Sequence, residues 1–117
     1  MAFKADKRLR NLYTRFNQRY WDGKLPDGGN VIVGYDDEIH VKLDGLTVEY
    51  KESDDAQHAV YLISLDPHTQ QFPRHRKAIL LHEMIHVALS PDVATHGKRF
   101  WDEANRLMGR GALKEFF

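Results

Sequence analysis

The amino-acid sequence predicts an α+β fold in which three helices pack on a small, mainly antiparallel sheet. Two patterns predict it: apolar residues recur at helical spacing towards both ends of the chain, and they alternate with polar residues between those segments. A third observation limits the size, because 117 residues are enough for one domain with a single core. We therefore expect residues 1–117 to form a single domain.

The first helix is predicted from Ala5 to Tyr20, where one face is apolar and the other is rich in lysine and arginine. The basic residues on or beside it are Lys4, Lys7, Arg8, Arg10, Arg15 and Arg19. Such a face can lie along the phosphates of a nucleic acid, although a solvated surface is the more common explanation. Glycines and a proline between Asp22 and Gly29 end this helix.

Strands are predicted in the middle of the chain. Asn30–Tyr35 has the composition of a strand, and the alternation on both sides of Asp44-Gly45 indicates a hairpin with arms at 39–43 and 46–50. Ala59–Leu65 is apolar and β-branched enough for a strand buried on both faces. We expect this last strand to lie beside the next helix, either as sheet core or as an edge with which an extended peptide pairs, and both roles can hold at once.

The next helix, beginning at Pro73, carries the motif His82-Glu83-x-x-His86 within an apolar run. Four residues advance a helix by about 400° and about 6 Å, so both imidazoles project from one face and can share one tetrahedral Zn²⁺. Glu83 lies about 100° away from His82, beside the metal, where its carboxylate can accept a proton from water. A core helix with two incidental histidines is the alternative, but an unpaired imidazole among aliphatic residues is costly.

A catalytic zinc site needs a third protein ligand, and His96 is the candidate. It follows Ser90-Pro91-Asp92, which ends the metal helix, and precedes another helical pattern that includes Phe100 and Leu107. The chain can therefore turn back so that His96 faces the first two histidines. An exposed histidine near a helix N-terminus is the alternative, in which case Asp92 or Glu103 would be the next candidates.

The composition excludes several kinds of site. The sequence has no cysteine, so it has neither disulfides nor a thiol nucleophile, and a bound zinc must be held by nitrogen and oxygen. No signal-peptide core or membrane-length apolar run is found, and we expect a cytoplasmic protein. The 17 basic and 17 acidic residues cancel, so net charge neither requires nor excludes a nucleic-acid partner.

Four segments together resemble the SprT-like zinc metalloprotease domain family, the class that includes the Spartan DNA–protein crosslink protease. They are Leu12-Tyr-Thr-Arg-Phe-Asn-Gln-Arg-Tyr-Trp-Asp-Gly-Lys-Leu-Pro26, Tyr61-Leu-Ile-Ser64, Leu80-Leu-His-Glu-Met-Ile-His86 and His96-Gly-x-x-Phe100. The resemblance is to a minimal form without the cysteine zinc ribbon. It implies one Zn²⁺ held by His82, His86 and His96, and Glu83 as the catalytic base.

The sequence thus predicts an α+β, zincin-like minimal metalloprotease domain that hydrolyses peptide bonds in protein substrates, including DNA-associated proteins. Location at the nucleoid or nucleus would follow from DNA association. The alternatives are a zinc-containing binding module with weak or no activity, which recruits a protein or nucleic acid, and a zinc hydrolase acting on a non-peptide bond. Candidate oxyanion or substrate contacts are Tyr61, His75 and Arg99. Candidate DNA contacts are Lys7, Arg8, Arg15, Arg74, Arg76 and Lys77.

Overall fold

A computed structural model describes residues 3–39, 44–50, 59–90 and 96–116 of the chain. Four strands and four helices follow one another in these segments. In chain order they are β1 (Phe3–Ala5), α1 (Lys7–Trp21), β2 (Val31–Asp36), β3 (Gly45–Tyr50), β4 (Val60–Leu65), α2 (Pro73–Ala88), α3 (Lys98–Gly109) and the short α4 (Leu113–Phe116). Short 3-10 helices precede β2 at Gly28–Asn30 and α2 at Pro67–Gln71. The predicted α+β class is confirmed.

The first helix forms close to its predicted bounds because both of its ends are capped. The Asp6 carboxylate accepts the backbone N–H of Leu9 at 2.8 Å, which satisfies a donor that the first turn leaves unpaired. At the other end Asp22 adopts a left-handed conformation with φ of 54°. The Asn17 side chain then pairs with both backbone groups of Leu25 at 3.0 and 3.1 Å, which holds the following loop against the helix.

The four strands form one mixed sheet in the order β1-β2-β4-β3. The outer pairs β1–β2 and β3–β4 are antiparallel, and the central pair β2–β4 is parallel. Because β4 is paired on both sides, the prediction that it offers an edge to a peptide is wrong, whereas its role as sheet core is confirmed. Within the described part of the chain, the outer strand beside α2 is β3.

The predicted hairpin around Asp44-Gly45 is only partly correct. Its second arm is a strand, but that strand pairs with β4, and Gly45 is already paired with Leu65. Gly45 does not have the positive φ that both central residues of a type I′ hairpin turn require. Most of the first arm, 40–43, lies outside the described residues.

The helices cover one face of the sheet, and the side chains there alternate as the pleat requires. Buried residues from the two central strands face α1 and α2, and these are Val31, Val33, Tyr35, Tyr61, Ile63 and Leu65. On β3 the residues in register with this face are Gly45, Thr47 and Glu49. The opposite face leaves Ile32, Leu46 and Tyr50 exposed. In the described segments, none of the helices combines the length and the apolarity needed to cross a bilayer.

Candidate metal centre

The three predicted histidines converge on one point. His82 and His86 project from α2, four residues apart, and His96 lies two residues before α3. Their Nε2 atoms form a nearly equilateral triangle, with sides of 3.1 Å for His82–His96, 3.2 Å for His82–His86 and 3.1 Å for His86–His96. Residues 91–95, including the alternative ligand Asp92, lie outside the described residues. We refer to His82, His86 and His96 as the triple-histidine cluster.

Phe100 packs against all three imidazoles of the triple-histidine cluster. Its ring centroid lies 4.9 Å from that of His82, 5.1 Å from that of His86 and 4.9 Å from that of His96, and the residue is only 3% exposed. One phenylalanine therefore limits the position of all three imidazoles. Burial, followed by the charges of the other two histidines, lowers the pKa of His82 to about 4. His82 is consequently neutral near pH 7, the state in which an imidazole binds a metal.

Glu83 follows His82 on the helix and is buried, with 5% of its surface exposed. Its only described hydrogen-bond donor is the Thr47 hydroxyl in β3, which lies 2.7 Å from Oε1 and 3.2 Å from the Glu83 backbone oxygen. Burial raises the pKa of Glu83 to about 7, and the Thr47 hydrogen bond opposes that rise. A carboxylate in these surroundings has the proton affinity expected of a base that acts near neutral pH.

Gly45 lets β3 pass directly over α2 at this point. A Cβ atom on Gly45 would lie 2.7 Å from Cγ2 of Ile79 and 3.1 Å from Oε2 of Glu83. The first distance is too short for an ordinary Cβ contact and the second is unusually tight, so any other residue at this position would force Ile79 or the strand to shift. The glycine that the sequence suggested as a turn residue instead allows close packing beside the buried carboxylate.

The three candidate substrate contacts lie on three different elements of the fold. The Tyr61 hydroxyl donates to Ser90 Oγ at 2.6 Å, and Ser90 in turn donates to Glu49 at 3.1 Å. His75 Nε2 lies 3.0 Å from Asp44 Oδ2, near the start of α2. Arg99 is exposed on α3. The alternative ligand Glu103 pairs with Arg106.

The candidate DNA contacts fall into two groups. Lys7, Arg8, Arg15 and Arg74 are exposed, and no ion pair with another described residue involves them. Lys77 and Arg76 are both half-buried. On α1, two further basic residues are already paired within the molecule: Arg10 binds Asp27 and the backbone oxygen of Val31, and Arg19 binds Glu115.

Among the described residues, two groups of three side chains could hold a metal ion, since their ligand atoms lie within 4.8 Å of one another. One is the triple-histidine cluster. The other, which sequence reasoning missed, consists of Asp44, His68 and His75.

Sequence reasoning also missed two residues that contact the site, Phe100 and Thr47. The spacing of His96 and Phe100, four residues apart at the head of a helical segment, is a signal that could have placed that ring beneath the imidazole. No local signal brings Thr47 to Glu83, because the two are 36 residues apart in the chain.

Comparisons of the chain with family models, curated proteins and solved structures find no match in any of the three.

Proposed function

We propose that the protein is a zinc-dependent metallopeptidase that hydrolyses peptide bonds in protein substrates. The observation that carries this proposal is a buried carboxylate, Glu83, on the same helix as two members of the triple-histidine cluster. A purely structural metal site has no need of such a base, and a structural zinc is normally closed by four protein ligands. Among the described residues the triad supplies three.

The triad has the dimensions that zinc requires. Zinc–nitrogen bonds of about 2.0–2.1 Å in a tetrahedral site place neighbouring ligand atoms about 3.3 Å apart. The three Nε2 separations of 3.1, 3.2 and 3.1 Å are close to that value. His82, His86 and His96 would hold the ion and leave its fourth position open. When bound, zinc would supply Lewis acidity, making a water molecule more acidic and polarising the substrate carbonyl.

Glu83 would move the proton. The Thr47 hydroxyl donates to Oε1 of the carboxylate at 2.7 Å and so fixes the orientation of the carboxylate. Oε2 lies against Gly45, which has no side chain. Because Oε1 already accepts the Thr47 hydroxyl, Oε2 is the atom we assign as acceptor of the proton from the attacking water. The same oxygen would return this proton to the leaving amine after the peptide bond breaks, as a general acid.

The substrate would lie along β3. This strand is the outer one beside α2 in the described sheet, and it lies close to Glu83 because Thr47 hydrogen-bonds the carboxylate and Gly45 has no side chain. An extended peptide that adds to a sheet edge gains backbone hydrogen bonds that do not depend on its sequence. Such binding suits an enzyme acting on unfolded or flexible protein segments.

The experiment that tests the proposal compares wild type with Glu83→Gln. The glutamine keeps the size of the side chain and removes the base. Zinc content and melting temperature should therefore stay near wild type, while cleavage of an unfolded protein such as denatured casein falls at least about a hundredfold. Zinc content is measured by elemental analysis, and cleavage by gel and mass spectrometry.

Three outcomes would contradict the proposal in different ways. Equal cleavage by both proteins would end the general-base role of Glu83. Loss of zinc in the variant would make Glu83 a ligand. Full zinc occupancy without cleavage by wild type would favour a binding module or, if small-molecule esters or amides are cleaved instead, a hydrolase of non-peptide bonds.

A further inference from the structure

A second group of metal-ligating side chains lies at the N-terminal end of α2. Asp44 precedes β3, His68 belongs to the 3-10 helix Pro67–Gln71, and His75 lies in the first turn of α2. His75 Nε2 is 3.0 Å from Asp44 Oδ2, and His68 Nε2 is 3.7 Å from Asp44 Oδ1. Three separate segments thus direct one ligand atom each towards a common point. We call these residues the Asp44 cluster.

The orientation of His68 is set by a second carboxylate. Its Nδ1 lies 2.8 Å from Asp66 Oδ1, so the proton of the neutral ring is held on Nδ1 and the lone pair is left on Nε2. That lone pair faces Asp44 Oδ1, which is also an acceptor. Two acceptors at 3.7 Å gain nothing from each other, whereas a cation between them would bind both. The pattern of carboxylate, histidine and metal is the usual way in which proteins orient a ligating imidazole.

The backbone holds these ligands in place. The N–H of Asp66 donates to the carbonyl of Asp44 at 2.8 Å, directly after the Gly45–Leu65 pair of the sheet. The Asp66 carboxylate also accepts the backbone N–H of His68 at 3.0 Å. Asp44 and His68 are therefore fixed relative to each other by main-chain contacts that do not require a metal. A site prepared in this way loses little conformational entropy when an ion binds.

We propose that Asp44, His68 and His75 bind a divalent transition-metal ion at a second site, distinct from the triple-histidine cluster. Two imidazole nitrogens and one carboxylate oxygen favour Zn²⁺, Co²⁺ or Ni²⁺ over Mg²⁺ and Ca²⁺, which prefer oxygen ligands. The side chains of Asp44, His68 and His75 are 40%, 50% and 43% exposed, so an ion in solution can reach them.

The two sites bind separate ions. His75 and His82 are seven residues apart on α2, which corresponds to about 10 Å along the helix axis, whereas the metals of a binuclear centre lie about 3.5–4 Å apart. The role of the second ion is to join the start of β3 to the start of α2. Asp44 adjoins Gly45, so this ion also fixes the strand that passes over Glu83.

Zinc titration by calorimetry, with Co²⁺ absorption as a second readout, tests the proposal. Wild type should bind two ions, and His96→Gln, which changes an exposed ligand of the first site, should keep the second ion. Asp44→Asn and His75→Gln should each weaken the second site at least tenfold while the first site is unchanged. Asp66→Asn should weaken it by about 10–100-fold, since it changes no ligand but replaces the carboxylate that orients His68. Asp102→Asn, an exposed carboxylate paired with Lys98, is the matched control and should change neither site.

Circular dichroism of each variant establishes that it is folded. The proposal is overturned if folded wild type binds a single zinc ion that His96→Gln loses. It is equally overturned if Asp44→Asn and His75→Gln leave a second binding event unchanged, because that event would then belong to other residues.

Discussion

The triple-histidine cluster and the Asp44 cluster use the same stripe of α2 but differ in their surroundings. His75, His82 and His86 lie along one side of the helix, two turns and then one turn apart. At the triple-histidine cluster, Phe100 lies beneath the ligands and a buried carboxylate stands beside them. At the Asp44 cluster the ligands are 40–50% exposed, and the neighbouring carboxylate, Asp66, orients a ligand.

If both clusters bind a metal ion, as we propose, one helix carries two metal sites with different surroundings. Ligand type alone does not distinguish them, because both contain imidazoles from α2. The two clusters differ in the burial of the neighbouring carboxylate. A carboxylate out of contact with water becomes more basic, and a neighbouring strand can hold it in a defined orientation. We therefore propose a chemical role for the triple-histidine cluster, which lies beside the buried Glu83, and cross-linking of two elements for the Asp44 cluster.

The largest expected effect follows from removing a ligand at each cluster in turn. Binding free energies of about 10–16 kcal/mol for a four-ligand structural zinc imply a loss of roughly a hundredfold to a thousandfold in affinity for each ligand removed. His86→Ala should therefore lose zinc at the triple-histidine cluster and, in saturating zinc, should have a lower melting temperature than wild type. His75→Ala should retain zinc there. Calorimetric titration gives the zinc affinity, and thermal melts with and without zinc give the melting temperature. Equal zinc affinity of the triple-histidine cluster in both variants would show that the two clusters are not separate sites.

A smaller effect is expected from Thr47→Val, which keeps the branched shape of the side chain and removes the hydroxyl. Loss of the 2.7 Å hydrogen bond to Glu83 should cost about 1 kcal/mol of stability and reduce peptide cleavage by about tenfold, because the base loses its fixed orientation. Zinc content should not change. Thr14→Val makes the same chemical change on α1 and is the control, with cleavage expected at the wild-type level. Similar cleavage rates in the two variants would show that β3 does not position the base.

Sequence periodicity predicted the segments that are governed by local physics. The apolar stripe of α1 and the His82–His86 spacing both depend on residues within a few turns of one another. Strand β4 was recognisable because it is apolar apart from Ser64, as expected for a strand in the interior of a sheet.

Partner choice between distant segments could not be predicted in this way. The alternation at 46–50 correctly indicated a strand, but nothing in that pattern specifies β4 as its partner. The Asp44 cluster was missed for the same reason: its ligands come from three segments, and each residue alone is an ordinary surface side chain. Gly45 was misassigned to a turn because its close approach to Ile79 and Glu83 exists only in the folded chain.

The smallest expected effect concerns basic residues that belong to neither metal-binding cluster. We propose that DNA stimulates proteolysis through the exposed basic residues Lys7, Arg8 and Arg15 on α1 and Arg74 on α2. Arg10 and Arg19 are paired with Asp27 and Glu115, so they are not part of this surface. A surface with so few contacts should bind DNA weakly and with strong salt dependence, because binding releases counterions.

The double variant Arg8→Glu, Arg15→Glu tests this proposal. Arg8 and Arg15 are seven residues apart and share one face of α1, so removing both should lower the slope of log affinity against log salt by about 2, at about 0.9 per phosphate contact. Zinc binding at both clusters should be unchanged. Lys98→Glu with Lys114→Glu produces the same change in net charge elsewhere on the surface and should affect DNA binding less. Fluorescence anisotropy with single- and double-stranded DNA at several salt concentrations measures the slope. If wild type shows no salt-sensitive binding even at low ionic strength, proteolysis is directed by protein contacts alone.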